Sequence, residues 1–212
     1  MRSGLAIASV TAVLKNLLDN ELIQLSATAS MGDVSITVQP PDRISTGAEE
    51  HTQLNLWLYR LTPNSGWRRS GTFSTQADLL ENPPLALDLH YLLTAYGERD
   101  FQAEILLGHA IQLLHETPIL TRETIRIALA SGSSSRASGT ALPLLSASNL
   151  ADQLEQIKIS PEFLSMEEMS KLWSTLQTRS RLSVTYQASM VLIEDRRVNT
   201  ATEDDASKAM IS

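Results

Sequence analysis

The amino-acid sequence predicts an α+β domain, in which helices pack on a mostly antiparallel sheet. Two patterns support this: helical spacing of apolar residues in some segments, and apolar–polar alternation in others. Apolar residues make up 42% and charged residues 19% of the 212 residues, a globular balance. This length favours one compact domain, residues 1–198, with a flexible loop at residues 131–148 and a disordered acidic tail at residues 199–212.

The first half of the chain predicts one helix followed by three strands. Apolar residues three and four apart give an amphipathic helix over about residues 5–20. Alternation over residues 34–38 predicts a strand that ends at Pro40 and Pro41, because proline cannot donate to a sheet ladder. The next strand, residues 54–59, carries leucines on one side and Asn55, Trp57 and Tyr59 on the other. Large side chains on both sides of this strand predict that other parts of the protein also cover its second face in part. Residues 85–96 form the third alternating run.

The second half predicts two helices and two further strands. Asp100 is the expected N-cap of a helix that runs to about His115. Residues 121–130 are compatible with a strand or a helix. A strand is expected near residues 155–160, and Ser165 with Glu168 has the spacing of a capping box, which starts a helix that reaches about Leu176. The last strand covers residues 182–193.

Several classes of function find no support in the composition. The net charge of −7 argues against a nucleic-acid partner, which requires a basic face to neutralise phosphates. The chain has no cysteine, and His109 and His115 lack the spacing of a helical metal pair. No cofactor motif occurs, and no apolar run approaches the ~20 residues of a membrane span. We therefore predict no catalytic residue, metal, cofactor or membrane insertion.

Two segments are candidates for contact with a partner protein. Trp67, Arg68 and Arg69 follow a predicted turn, and an aromatic residue beside arginines is typical of contact surfaces. The equally weighted alternative is a tryptophan that folds back on the core beside solvated arginines. Val191 and Ile193 lie in the final strand, which is apolar on both faces and precedes the tail. Such a strand can pair with a neighbouring subunit as well as within its own sheet.

Five segments in order resemble the N-terminal domain of the tail terminator, or cap, proteins of extracellular contractile injection systems. These systems include the Photorhabdus virulence cassettes and the Serratia antifeeding prophage. The most specific part is the Glu-Glu-Met-Ser-Lys-Leu-Trp sequence at residues 167–173 with the strand after it. The matching segments are residues 54–60, 84–96, 115–120, 160–176 and 182–193.

The resemblance implies a phage tail-terminator-like fold and a structural function. Such subunits form a hexameric ring that ends the inner tube and anchors the last ring of the sheath. The implied partners are further copies of the chain, the tube protein and the sheath protein. The implied location is the cytoplasm during assembly and then the contractile particle, whether released or membrane-anchored.

Two other interpretations compete with the cap. An adaptor would bind another component, such as the baseplate or a membrane anchor, without capping the tube; oligomeric state separates the two, because a cap on a six-fold tube forms a ring. A small-molecule enzyme built on Asp88, His90 and Tyr91 requires a pocket in which these polar groups converge. The sequence offers no supporting residues for such a pocket.

Overall fold

The computed structural model describes residues 5–29, 34–47, 50–66, 85–131 and 156–193. These residues form four α-helices and six β-strands, with a short 3₁₀ helix at Pro41–Arg43. In chain order the elements are α1 (Ala6–Ala29), β1 (Ser35–Thr37), β2 (Gln53–Pro63), β3 (Leu85–Tyr96), α2 (Gln102–Glu116), β4 (Ile119–Thr121), α3 (Arg122–Ser131), β5 (Gln156–Glu162), α4 (Met166–Thr175) and β6 (Ser183–Ile193). None of the helices in these ranges has the length and apolarity needed to span a bilayer.

The six strands form one sheet in the order β1-β2-β3-β6-β5-β4. β1 runs parallel to β2, and every other neighbouring pair is antiparallel. The predicted α+β class with a mostly antiparallel sheet is therefore confirmed. The centre of the sheet is formed by β2, β3 and β6, the three long strands.

The hydrophobic core lies between one face of this sheet and helices α1, α2 and α3. Leu54 and Leu56 of β2 lie opposite Ala95 and Leu93 of β3, and all four side chains are buried there. The Tyr91 hydroxyl, on the same face, lies 2.9 Å from the Thr11 hydroxyl of α1. Burial raises the pKa of Tyr91, so its phenol stays protonated and its hydrogen bond links helix and sheet.

The opposite face of the central strands is also covered. Leu92 and Thr94 alternate with the core residues of β3 and are fully buried, as is Asn55 of β2. The Asn55 side-chain oxygen accepts hydrogen bonds from the Thr37 hydroxyl at 2.9 Å and from the backbone N–H of Gln39 at 3.3 Å. These two bonds hold the segment after β1 against the strand, which confirms that the second face of β2 is partly covered.

Two elements differ in extent from the sequence prediction. Helix α1 continues to Ala29, beyond the predicted end near residue 20. Residues 121–130, compatible with strand or helix, contain both: β4 ends at Thr121 and α3 begins at Arg122. Asn16, on the polar side of α1, is buried because α3 packs there, and it donates to the carbonyl of Ala128 at 2.8 Å. The apolar periodicity of one helix does not reveal that a second helix packs against one of its polar residues.

The prediction that Asp100 caps α2 is wrong. The N-cap residue is Phe101, which has a left-handed backbone with φ of 66° and forms no side-chain cap. The preceding turn is tight at Gly97, where an added Cβ would lie 2.9 Å from the Cβ of Gln102 and from the backbone nitrogen of Ala103. The Gln102 N–H donates to the carbonyl of Arg99 at 3.3 Å, so a turn includes Asp100 and the helix begins after it.

The predicted capping box at the start of α4 is confirmed. The Glu168 backbone N–H donates to the Ser165 hydroxyl at 3.2 Å, and the Ser165 N–H donates to the Glu168 carboxylate at 2.9 Å. The Ser165 backbone N–H, followed by its hydroxyl, lowers the pKa of the Glu168 carboxyl. A lowered folded-state pKa means that this contribution to stability is present above the ordinary carboxyl pKa and is lost as the pH falls through the lowered one.

Replacing Ser165 with alanine is expected to lower the free energy of unfolding by about 1 kcal/mol, because the first turn of α4 loses its hydroxyl acceptor. Urea denaturation monitored by circular dichroism measures this change. A Ser165→Thr variant keeps the hydroxyl and serves as the control. An equal loss of stability in both variants would contradict a capping role for the hydroxyl.

Candidate partner-binding surface

The sequence placed candidate contacts in two segments, and the structure locates one of them. Trp67, Arg68 and Arg69 lie outside the described residues, as do the predicted loop beyond Ser131 and the predicted tail. Val191 and Ile193 lie at the end of β6, opposite Leu87 and Leu85 of β3. The side chain of Val191 is 0% exposed and belongs to the core, whereas Ile193 is half-buried against it.

A β-bulge separates this end of β6 from the rest of the strand. Asp88 of β3 stands opposite two residues of β6, and the second of them, Met190, has a positive φ of 70°. The buried Asp88 carboxylate accepts hydrogen bonds from the Asn64 side chain at 2.7 Å and from the Met190 backbone N–H at 3.4 Å. Asp88 thereby stabilises the bulge and orients the last residues of β6.

The last residues of β6 pair on one side only within the described part of the chain. On the β5 side the ladder stops at Ser189, whereas on the β3 side it continues to Ile193. Among the described strands, residues 191–193 therefore have no partner on the β5 side, and a further strand can join such an edge. The side chain of Val191 faces inward, so any partner contact there is made by its backbone.

A polar cluster on the second face of the sheet joins β2, β3 and β5. His90 of β3 lies 2.8 Å from the Glu162 carboxylate through Nδ1 and 2.8 Å from the Thr62 hydroxyl through Nε2. The Tyr59 hydroxyl donates to the same Glu162 oxygen at 3.3 Å, and Arg60 lies 3.8 Å from the other. The Thr185 hydroxyl of β6 donates to the backbone carbonyl of Glu162. Glu162 thus ties four strands together where β5 leads into α4.

The protonation state of Tyr59 is fixed by this cluster. Burial, followed by the nearby negative charge of Glu162, raises the pKa of Tyr59 to about 12. The phenol therefore remains protonated at physiological pH and donates its hydrogen to the carboxylate. The charge on Glu162 is shared among a tyrosine, a histidine and an arginine, which offsets the cost of its partial burial.

The hypothesis of an enzyme on Asp88, His90 and Tyr91 finds no geometric support. Tyr91 points into the core, on the side of the sheet opposite His90, and Asp88 stabilises the bulge. Hydrogen bonds join the Thr62 hydroxyl, the His90 imidazole and the Glu162 carboxylate in the order found in hydrolase triads. His90, however, is only 3% exposed. Within the described ranges no group of three or more histidine or acidic side chains is arranged to hold a metal ion.

In the described part of the chain, the three most exposed large apolar side chains lie at turns where the sequence predicted no contact. Phe101 at the start of α2 is 73% exposed, and Phe163 and Met166 at the β5–α4 junction are 86% and 87% exposed. Periodicity could not identify them, because an apolar residue at a turn belongs to no alternating pattern. Exposed aromatic and methionine side chains are typical of protein interfaces.

Comparison with known families identifies the chain. Residues 9–204 match the profile of the Pvc16 N-terminal domain, which includes every described strand and most of α1. The chain belongs to the Pvc16 N-terminal domain family. The resemblance recognised in the sequence is therefore confirmed. No curated protein matches the chain.

The fold of this family member is similar to two solved structures of contractile particles. One is the PVC sheath/tube terminator of an extracellular contractile injection system in its extended state, with a TM-score of 0.52 and 14% identity over 89% of the chain. The other is the tube-terminating cap of the anti-feeding prophage, with a TM-score of 0.46 and 15% identity over 84% of the chain. The chain spans 57% and 55% of the lengths of these two proteins.

Proposed function

We propose that the chain is a structural cap subunit that ends the inner tube of a contractile injection system and anchors the terminal ring of its sheath. The family match over residues 9–204 carries this proposal. The similarity in fold to a sheath/tube terminator over 89% of the chain supports it. Capping is mechanical: subunits that occupy the growing end prevent the next ring of tube protein from adding.

The proposed assembly is a homohexameric ring that contacts the tube protein on one side and the sheath protein on another. A closed ring matches the rotational symmetry of a tube end without leaving an unsatisfied subunit interface. The proposed partner contacts include residues 67–69 and the backbone edge at residues 191–193, where β6 pairs on the β3 side alone among the described strands. We place assembly in the cytoplasm, after which the subunit is part of the particle; no catalytic step is involved.

The length distribution of the particles tests this function. Electron microscopy would compare particles produced with and without the chain, and with the chain resupplied from a plasmid. The proposal predicts a narrow length distribution in the first and third samples and tubes and sheaths of uncontrolled length in the second. Unchanged lengths in all three would refute capping and favour an adaptor that binds another component.

A further inference from the structure

Phe101 combines exposure with backbone strain. It is 73% exposed, and its φ of 66° lies in the left-handed region that bulky residues rarely adopt. The Ile105 N–H donates to its carbonyl at 2.9 Å, which fixes the residue at the start of α2. A strained aromatic side chain that stays exposed in the described part of the chain points to a function in contact.

The surroundings of Phe101 form an apolar ridge with acidic flanks. Ile105, one helical turn further on, is 43% exposed and continues the apolar surface. Asp100 and Glu104 are exposed beside it, and neither forms an ion pair with another residue in the described ranges. We call Phe101 and Ile105 with these two carboxylates the ridge.

A cavity of about 400 Å³ lies beside α4. Its lining includes the apolar side chains of Met166, Met169 and Trp173, together with polar residues that extend to Ser180. Methionines line surfaces that adapt to aromatic side chains, since their thioethers are flexible and polarisable. Arg179 is exposed within the lining segment, and no ion pair joins it to any other described residue. The cavity lining combines three apolar side chains with five polar ones, and Arg179 adds an exposed positive charge in the adjoining segment.

The ridge and the cavity lie at the same end of the sheet but on opposite faces. β3 ends and β6 begins at this end, where Thr94 pairs with Ser183, so the turn before α2 and the loop after α4 both leave the sheet here. Helix α2 packs on the core face. The start of α4 follows the end of β5, where Glu162 contacts His90 on the other face.

This placement suits contact between neighbouring copies in a ring. A cyclic ring requires two different surfaces on each subunit, and the surfaces must lie at equal height along the ring axis. Two surfaces at one end of the sheet, on opposite faces, meet this condition when the axis runs along the strands. The carboxylates of Asp100 and Glu104 on one surface and the guanidinium of Arg179 beside the other are opposite in charge.

We propose that Phe101 of one copy inserts into the cavity formed by Met166, Met169 and Trp173 of the next copy. In this arrangement Asp100 and Glu104 face Arg179 across the subunit boundary. The inference rests on the proposed ring function and assigns the surfaces that build the ring. The contact repeats around the ring, so each subunit uses its ridge once and its cavity once.

Cysteine crosslinking in assembled particles tests this contact, and this chain contributes no native cysteine to the background. A Glu104→Cys, Arg179→Cys double variant treated with a short bis-maleimide should give a ladder of covalent oligomers up to the full ring. An Ile127→Cys, Arg179→Cys pair, in which residue 127 is also exposed on a helix, should remain monomeric. Particles of normal length without a ladder would overturn the contact while leaving the cap function intact. If particles that contain the wild-type chain had uncontrolled lengths, this result would instead refute the cap function itself.

A second variant separates contact from folding. Phe101→Asn suits the left-handed backbone better than phenylalanine, so the melting temperature should be equal to or higher than that of the wild type. In the double-cysteine background this substitution should reduce the ladder at least tenfold. A ladder that persists at full intensity would show that Phe101 does not hold the ring together. A lower melting temperature would contradict the strain assigned to this residue.

Discussion

Replacing Leu54 with alanine is expected to lower the free energy of unfolding by about 2–5 kcal/mol. Leu54 is 0% exposed in the middle of the sheet, where it lies opposite Ala95 and packs in the core that α1 and α2 cover. Truncation removes buried methyl groups and leaves a cavity that strands paired on both sides cannot close. Chemical denaturation monitored by tryptophan fluorescence measures the loss.

Leu61, on the same strand, provides the matched control. It is 47% exposed, beyond the bulge of β2, so its truncation to alanine should change stability by no more than about 0.5 kcal/mol. The strand, the residue type and the substitution are the same, which leaves burial as the difference. Equal effects at the two positions would contradict the assignment of the core to this face of the sheet.

Replacing Glu162 with alanine should lower the free energy of unfolding by about 1.5–3 kcal/mol, the range for hydrogen bonds to a charged group. The loss leaves the buried His90 Nδ1 and the Tyr59 hydroxyl without the carboxylate that binds both. Thermal and chemical denaturation measure it. Glu167→Ala, which removes an exposed ion pair to Lys171, should cost less than about 0.5 kcal/mol and serves as the control.

Titration of Tyr59 distinguishes this role of Glu162 from a general loss of packing. In a Glu162→Gln variant the negative charge is absent while the volume is retained. The pKa of Tyr59 should then fall below about 12, since burial remains as a cause but the repulsion from the carboxylate does not. Difference absorbance against pH measures this value. A Tyr59 pKa unchanged by the substitution would place the carboxylate away from the phenol.

Local patterns in the sequence predicted most of the elements. The alternation of β2 and β3, the apolar stripe of α1 and the capping box at Ser165 are each encoded within a few residues, and each is confirmed. The strand near residues 155–160 extends to Glu162 through Pro161, where β4 no longer pairs with β5. A proline is tolerated there because no ladder on that side requires its missing N–H.

Contacts between distant segments could not be predicted in the same way. His90 and Glu162 are 72 residues apart, and only the β3-β6-β5 order of strands brings them to hydrogen-bonding distance. The sequence assigned Val191 to a contact surface because its strand is apolar on both sides. The bulge at Met190, stabilised by Asp88, directs that side chain into the core, a change that a two-residue period does not reveal.

Localisation of the chain on assembled particles tests the central claim most directly. A small tag on the chain, visualised by cryo-electron tomography of intact particles, should appear as a ring at the end of the tube farthest from the baseplate. The account predicts one such ring on each particle, at the boundary between the last tube ring and the last sheath ring. A tag at the baseplate, along the sheath or absent from the particle would contradict it.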